Sequence, residues 1–267
     1  MNEQELCKKR LLDLSRQADN KGIVTFSDFL NLNELNIYHT IKNTLYTKTE
    51  VFGGYDSAER QMVAFIPDAL YFEFTYANEL SSENMNIFSY FKHPIHCLCI
   101  SPKTPKFADK LTHRDILGAL MHLGIERNRL GDILCFDTKY YVFCEERIMP
   151  FILESLRKVK HTQVDLSEEL DYMHLQANIQ LEEQYDMIAS NRIDCIIAKA
   201  FHLSRSEASN YLTAEKVFIN GKCITNCNQS CENGAIISVR GKSRFIFENC
   251  NTTSKKGKLR VKFSFYK

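Results

Sequence analysis

Long apolar runs are missing from this sequence. No window approaches the ~18 consecutive apolar residues that a membrane-crossing helix needs. The opening stretch, MNEQELCKKRLLDLSRQ, holds charges where a secretion signal requires an apolar segment. The expectation is a soluble, unexported, cytoplasmic protein with no membrane partner. Cysteine is sparse, 10 in 267 residues, and without an export signal these are expected as free thiols. Paired cysteines at metal-ligand spacing are lacking. Cys223, Cys227 and Cys231 form a single triplet, and His202 lies 21 positions before it. Zinc ribbons use two paired sets at short spacing, so neither a metal nor any other cofactor is expected. Cys97 and Cys99 alternate within an apolar run and read as core residues on one face of a strand. Wholesale disorder is excluded, because 44% hydrophobic and 25% charged residues are ordinary globular values. The length suggests about two domains, or three small ones.

Signatures of several enzyme classes are also absent. His113-Arg114-Asp115 resembles the start of a kinase catalytic loop, but the asparagine that loop requires would fall at Leu120. No glycine-rich phosphate loop precedes it. The triplet reads instead as a helix start, with Asp115 in the first turn where the helix dipole favours a carboxylate. Gly53-Gly54 is the one adjacent glycine pair, and no cofactor-binding glycine loop or G-x-S-x-G elbow is found.

What is present reads as an α+β chain. Residues 1–80 are expected to form a mixed, mainly helical domain. A helix spans 4–19 and stops at Gly22, and a second helical stretch lies within 26–46. Asp56 is expected to cap a short helix, SAERQMVAF, that ends before Pro67. Leu70–Tyr76 alternates and is aromatic-rich, the pattern of a strand. Residues 81–168 carry strands at Ile95–Ile100, Asp132–Phe136, Tyr140–Cys144 and Thr162–Leu166, with helices at His113–Leu123 and Arg147–Lys158. That β-α-β-β-α-β order resembles, in topology alone, the RNA-recognition motif (RRM) or ferredoxin-like sandwich. Tyr141 and Phe143 share the face on which such a motif stacks bases. Their strand lacks the glycines of that motif, and the two rings read as core. Residues 169–187 are acidic and amphipathic and read as a helical linker.

The net charge of +1 conceals an asymmetry. Residues 188–267 hold 14 Lys/Arg against 5 Asp/Glu, a net of +9. A basic block with clean helix and strand patterning is the footprint of a nucleic-acid-binding module. Within it, Ile193, Ile196, Ile197, Ala200 and Phe201 make a one-sided helix, with Arg192 and Lys199 two turns apart on its flank. Ser204 and Glu207 have capping-box spacing, so a second helix starts at Ser204, with Arg205 beside its positive end. Asn220-Gly221 is a hairpin turn followed by Lys222. Ala235–Val239 leads into the basic turn Arg240-Gly241-Lys242-Ser243-Arg244, and a last hairpin joins Phe245–Glu248 to Leu259–Phe265.

The segments RIDCIIAKAF, LSRSEASNYLTAEKVFINGK and GAIISVRGKSRF resemble the S4 (αL) RNA-binding domain, here with an extra β-hairpin. Upstream, FGGYDSAERQMVAFIP and KLTHRDILGALMHLGIERNRLGDILC are similar to the bacterial YlmH family of S4-domain proteins, as is the tail SKKGKLRVKF. The resemblance runs with gaps from about residue 50 to 267. Ala235 stands where that family usually has an acidic residue, and Ser243 where it has glycine. The resemblance implies binding to large ribosomal subunits obstructed by peptidyl-tRNA. It places the chain in bacterial ribosome-associated quality control, with S4 contacts to ribosomal RNA and tRNA.

The expected RNA-contacting residues are Arg192, Lys199, Ser204, Arg205, Ser206, Ser209, Lys216, Asn220, Lys222, Arg240, Lys242 and Arg244. Secondary contacts are expected from Arg114, Arg127, Arg129, Lys255 and Lys256. Arg127 and Arg129 read equally well as braces between helix and strand. No catalytic residue is expected. S4-linked pseudouridine synthases carry a large catalytic domain after an N-terminal S4 module, whereas here the S4-like segment lies near the C-terminal end. Methyltransferase and tyrosyl-tRNA synthetase signatures are absent. An RNA-modifying enzyme and a protein-interaction adaptor remain the alternative readings.

Overall fold

The computed structural model describes residues 3–81, 85–172, 175, 181–253 and 257–266. The chain divides into two compact units, Met1–Asn178 and Ile179–Lys267.

The first unit begins with helix α1 (Glu3–Lys21). It ends at Gly22, whose φ of +64° lies in the left-handed region that glycine enters at no steric cost. Strand β1 (Thr25–Phe26) and helix α2 (Leu32–Ile41) follow. Asn31 caps α2 and Glu34 completes a capping box. Strands β2 (Lys48–Phe52) and β3 (Met62–Ile66) complete a three-stranded antiparallel sheet with β3 in the centre. Leu11, Ala18, Leu35, Tyr38 and Ile41 of the helices pack with Val63 and Phe65. Helices α3 (Asp68–Leu80) and α4 (Ile87–Tyr90) come next.

Two expectations for this region are corrected. Met62–Ile66 is a strand rather than part of a helix. All five of its residues are buried, and a fully buried strand shows an unbroken apolar run that periodicity does not distinguish from a helix. Residues 70–76 are helical rather than extended. Pro67 at the N-cap and Asp68 in the first turn start α3. The aromatic alternation there does not reflect burial, since Phe72 and Tyr76 are exposed and Phe74 is buried.

The same unit continues with β4 (Ile95–Pro102), α5 (His113–His122), β5 (Leu130–Phe136), β6 (Lys139–Glu145), α6 (Met149–Ser155), β7 (Lys158–Val159) and β8 (Thr162–Glu169). The strands lie in the order β5-β6-β4-β8-β7, every neighbour antiparallel. Strand alternation sorts the side chains onto two faces. Tyr140, Val142 and Cys144 join Leu98 and Ile100 in a core against Ile116, Leu120 and Ile152 of the two helices. Tyr141 and Phe143 point the other way and are buried too.

The segment between β2 and β3 closes that second face. The Tyr55 ring lies 5.3 Å from Phe143, and Tyr172 meets Phe143 edge-on at 5.6 Å. Gly54 sits at φ +102°, and a Cβ there would fall 2.2 Å from the Phe143 ring. The Asp132 carboxylate accepts from the Tyr55 hydroxyl (2.7 Å), the Glu59 amide (2.7 Å) and the Arg60 amide (3.1 Å). The Arg60 guanidinium donates to the carbonyls of Leu130 and Phe29 at 3.0 and 2.8 Å.

The second unit holds β9 (Leu181–Ile188), α7 (Ile193–Ala200), α8 (Arg205–Thr213), β10 (Val217–Ile219), β11 (Lys222–Cys223), β12 (Ile236–Val239), β13 (Arg244–Thr253) and β14 (Leu259–Tyr266). They make one antiparallel sheet ordered β11-β10-β12-β13-β14-β9. The α7 residues Ile193, Ile196, Ile197 and Ala200 and the α8 residues Ala208 and Leu212 pack with Phe245, Phe247, Val261 and Phe263 of the sheet.

The expected helical linker is corrected over part of its length. Residues 181–188 form an edge strand, while 173–174 and 176–180 lie outside the described residues. The acidic residues of β9 face the basic last strand. Lys262 reaches Glu183 at 3.4 Å, and Arg260 stacks over Tyr185 at 5.4 Å. Charge on an edge strand also discourages further pairing.

Candidate nucleic-acid interface

The start of α8 is built as its sequence predicts. The Ser204 hydroxyl accepts from the Glu207 amide at 3.2 Å, and the Glu207 carboxylate accepts from the Ser204 amide and hydroxyl at 2.8 and 2.7 Å. The Ser204 amide, more than its hydroxyl, holds the Glu207 carboxyl below its ordinary pKa. The positive field of Lys242 adds to that shift, which places the β12–β13 turn beside this helix start. Ser206 shares the corner, its hydroxyl 3.0 Å from that of Ser204. Arg205 is exposed and makes no ion pair among the described residues.

The same turn reaches a second pair of cations. The Arg240 amide donates to the Lys216 carbonyl at 2.9 Å. The Arg240 guanidinium lies 5.1 Å over Phe218, and the Lys216 ammonium 5.9 Å over Tyr211. Gly241, at φ +79°, turns the chain between Arg240 and Lys242. Ser243, where a glycine was expected, is not among the residues with positive φ. The β12–β13 turn thus brings Arg240 to Lys216 and sets Lys242 near the start of α8, where Arg205 lies, although 37 positions separate Arg205 from Lys242 in sequence. Lys222 stands exposed beyond the Asn220-Gly221 turn, whose φ values of +48° and +80° suit a tight hairpin.

Other expected contacts have their polar groups engaged. Arg192 forms a bidentate pair with Asp194 at 3.0 and 2.7 Å. Lys199 lies 3.5 Å from Asp186 of β9. Arg244 stacks 4.2 Å over Tyr266. The Asn220 side chain accepts from the Ile236 amide at 2.9 Å, and the Ser209 hydroxyl lies 3.4 Å from the Cys227 sulfur.

In the first unit, Arg127 donates to the carbonyls of Leu130 and Gly131 at 2.6 and 3.0 Å. Burial lowers its pKa to about 10. Arg129 pairs with Glu145 and lies 3.8 Å from Asp28. Both arginines thus brace the segments around β5. Arg114 is exposed at the start of α5, and Lys255 and Lys256 lie outside the described residues. Burial pushes the Cys231 thiol up to about 12. Among the described residues, no three His, Cys, Asp or Glu side chains converge as a metal site. Sequence reading passed over a second concentration of cations, Lys106 and Lys110 with Lys158 and Lys160. Some fifty positions separate its two halves, so only the fold brings them together.

Comparison with known proteins bears on both units. Residues 97–172 match the family described as "Putative RNA-binding domain in YlmH". The "Ribosome-associated protein quality control protein P2" of Bacillus subtilis (strain 168) is 24% identical over 256 residues, covering 94% of this chain and 91% of that protein. A solved structure titled "Cell division protein ylmH from Streptococcus pneumoniae" is 22% identical. It covers 63% of this chain and 92% of its own, with a TM-score of 0.47.

Proposed function

Since the chain is of the YlmH family, we propose that it is a non-catalytic RNA-binding protein of the large ribosomal subunit. On this reading residues 188–267 are an S4 module that contacts ribosomal RNA and tRNA. Residues 81–168 are an RRM-like, ferredoxin-like domain, and residues 1–80 are a mixed, mainly helical N-terminal domain that packs with it in one compact unit. The protein acts in quality control of stalled ribosomes carrying peptidyl-tRNA, in the cytoplasm.

One observation carries the reading: Lys216, Arg240, Lys242 and Arg205 come from segments that gather around the β12–β13 turn and the start of α8. Four cations on two turns and a helix start suit backbone phosphates, which position a protein on RNA without reading its sequence. Selectivity then comes from RNA shape. Lys222, Ser204 and Ser206 extend the same surface. Arg192, Lys199, Arg244, Asn220 and Ser209 contribute through exchange of their present partners or by holding the loops.

Sucrose-gradient sedimentation of extracts, with and without induced stalling, tests the reading. The protein is expected in the large-subunit fractions, more so after stalling, and to leave them as salt rises. A protein that stays at the top of both gradients overturns it. Nucleoside mass analysis after incubation with ribosomal RNA separates it from an RNA-modifying enzyme, which would leave a changed nucleoside.

A further inference from the structure

Phe143 lies under Gly54 and Tyr55 and Tyr141 beside it is buried too, so RNA held by residues 97–172 must meet a different surface of that domain. Three segments converge at one corner. The loop after β4 carries exposed Lys106 and Lys110 and, between them, Phe107, a residue 86% exposed. The β7–β8 hairpin carries Lys158 and Lys160, and the first turn of α5 carries Arg114.

Hydrogen bonds fix these segments together. The Asp109 carboxylate accepts from the His161 amide at 3.2 Å and the Thr162 hydroxyl at 3.1 Å. The Asp109 amide donates to the Thr162 hydroxyl at 2.8 Å, and the Lys103 amide to the Gln163 carbonyl at 3.0 Å. Lys160 lies 2.8 Å from Asp115, which also accepts from Thr112 at the start of α5. Arg114, Arg157, Lys158 and Lys160 then line a groove of about 580 Å³ between α5 and the end of α6. Asp109 and Asp115 are occupied in holding the corner. Lys106, Lys110, Arg114 and Lys158 make no ion pair among the described residues.

We propose that this corner is a second RNA site, which takes single-stranded nucleotides: Lys106, Lys110 and Lys158 hold phosphates while Phe107 stacks an unpaired base. An exposed ring flanked by lysines lacks the apolar surround of a protein hot spot. It suits a nucleobase whose backbone runs over the neighbouring cations. A duplex buries its bases and leaves Phe107 nothing to stack on, so the ligand is a loop or a free end. The inference rests on the RNA-binding reading above and places a site on the domain that reading leaves without one.

The test uses the full chain and a fluorescein-labelled oligouridine of about 12 nucleotides, within the span such sites cover. Anisotropy at low salt reads the affinity. Phe107→Ala is expected to weaken binding about tenfold, within the range for loss of one base stack. The combined variant Lys106→Ala/Lys110→Ala/Lys158→Ala should flatten the log–log salt dependence by about 2, at roughly 0.7 per phosphate on a single strand. Arg205→Ala should leave oligouridine binding within about twofold. The four substituted side chains are exposed, so thermal melts should match the parent.

Three results overturn the proposal: no binding by the parent at low salt, unchanged binding by the corner variants, or an equal loss in Arg205→Ala. Loss of ribosome co-sedimentation in Phe107→Ala with unchanged oligouridine affinity also overturns it, by assigning the ring to a protein. The ribosomal reading fails separately, if the parent binds the oligonucleotide through Phe107 yet never sediments with large subunits.

Discussion

The Tyr55 hydroxyl donates to the Asp132 carboxylate at 2.7 Å, joining residues 77 positions apart. The same carboxylate takes the amides of Glu59 and Arg60, so one side chain fixes the loop between β2 and β3 onto β5.

Asp132→Ala is therefore expected to cost about 2–4 kcal/mol, because it removes charge-assisted hydrogen bonds and strands two amides. Urea unfolding measures the loss, and hydrogen exchange should show the Glu59 and Arg60 amides opening first. Protection of those amides equal to the parent's would refute the anchoring role.

Gly54→Ala should be more damaging than a usual glycine substitution. The new methyl meets the Phe143 ring, and the φ of +102° is strained for any side chain. Strain and overpacking together predict a loss of about 2–5 kcal/mol by denaturant titration. Gly54→Ala/Phe143→Leu should recover part of it by clearing the ring. If the double variant is no better than the single one, the contact with Phe143 is not the cause.

Acid should weaken the first unit through His93. Its ring sits among Phe26, Phe88 and Phe52 at 5.0, 5.3 and 5.8 Å, and among the described residues neither ring nitrogen has a hydrogen-bond partner. Burial lowers its pKa from 6.5 to about 4. The folded state then binds fewer protons than the unfolded chain between those values. The stability is complete above pH 6.5 and declines as pH falls toward 4, on the order of 3 kcal/mol in all. His93→Phe should remove this component. Stability curves of equal pH slope for parent and variant, between pH 7 and 4.5, would show that His93 contributes nothing to it.

Arg205→Ala should weaken binding to structured ribosomal RNA and lower the salt slope by about 1, the share of one phosphate on a duplex. The melting temperature should not move, since Arg205 is exposed and unpaired among the described residues. Filter binding across a salt series checks both. Arg127→Ala is the matched control. Its guanidinium serves the Leu130 and Gly131 carbonyls, so stability should fall while RNA affinity holds.

The parts of this molecule that sequence made legible are those specified within a few residues. The Ser204–Glu207 capping box and the Asn220-Gly221 turn appear as the spacing predicts, because the hydrogen bonds and φ values involved are local. Met62–Ile66 was not legible, because the central strand of a covered sheet has no polar face to mark its period. Nor was β9, whose acidic sequence makes sense only opposite β14. The cation group was legible as composition, but its gathering depends on the β12–β13 turn lying near the start of α8. The covered face of the middle sheet depends on Gly54 and Tyr55 meeting Phe143 across the fold.

The pairing of β9 with β14 runs from Ile188 opposite Leu259 to Leu181 opposite Tyr266. The second unit is thus entered and left side by side, like a purse drawn shut at its neck. A fragment starting after Ile188 would leave the backbone of β14 bare and prone to self-association. A circularly permuted version, with Leu181 and Tyr266 tied by a short turn and new ends opened at the exposed pair Thr225-Asn226, should keep its sheet intact.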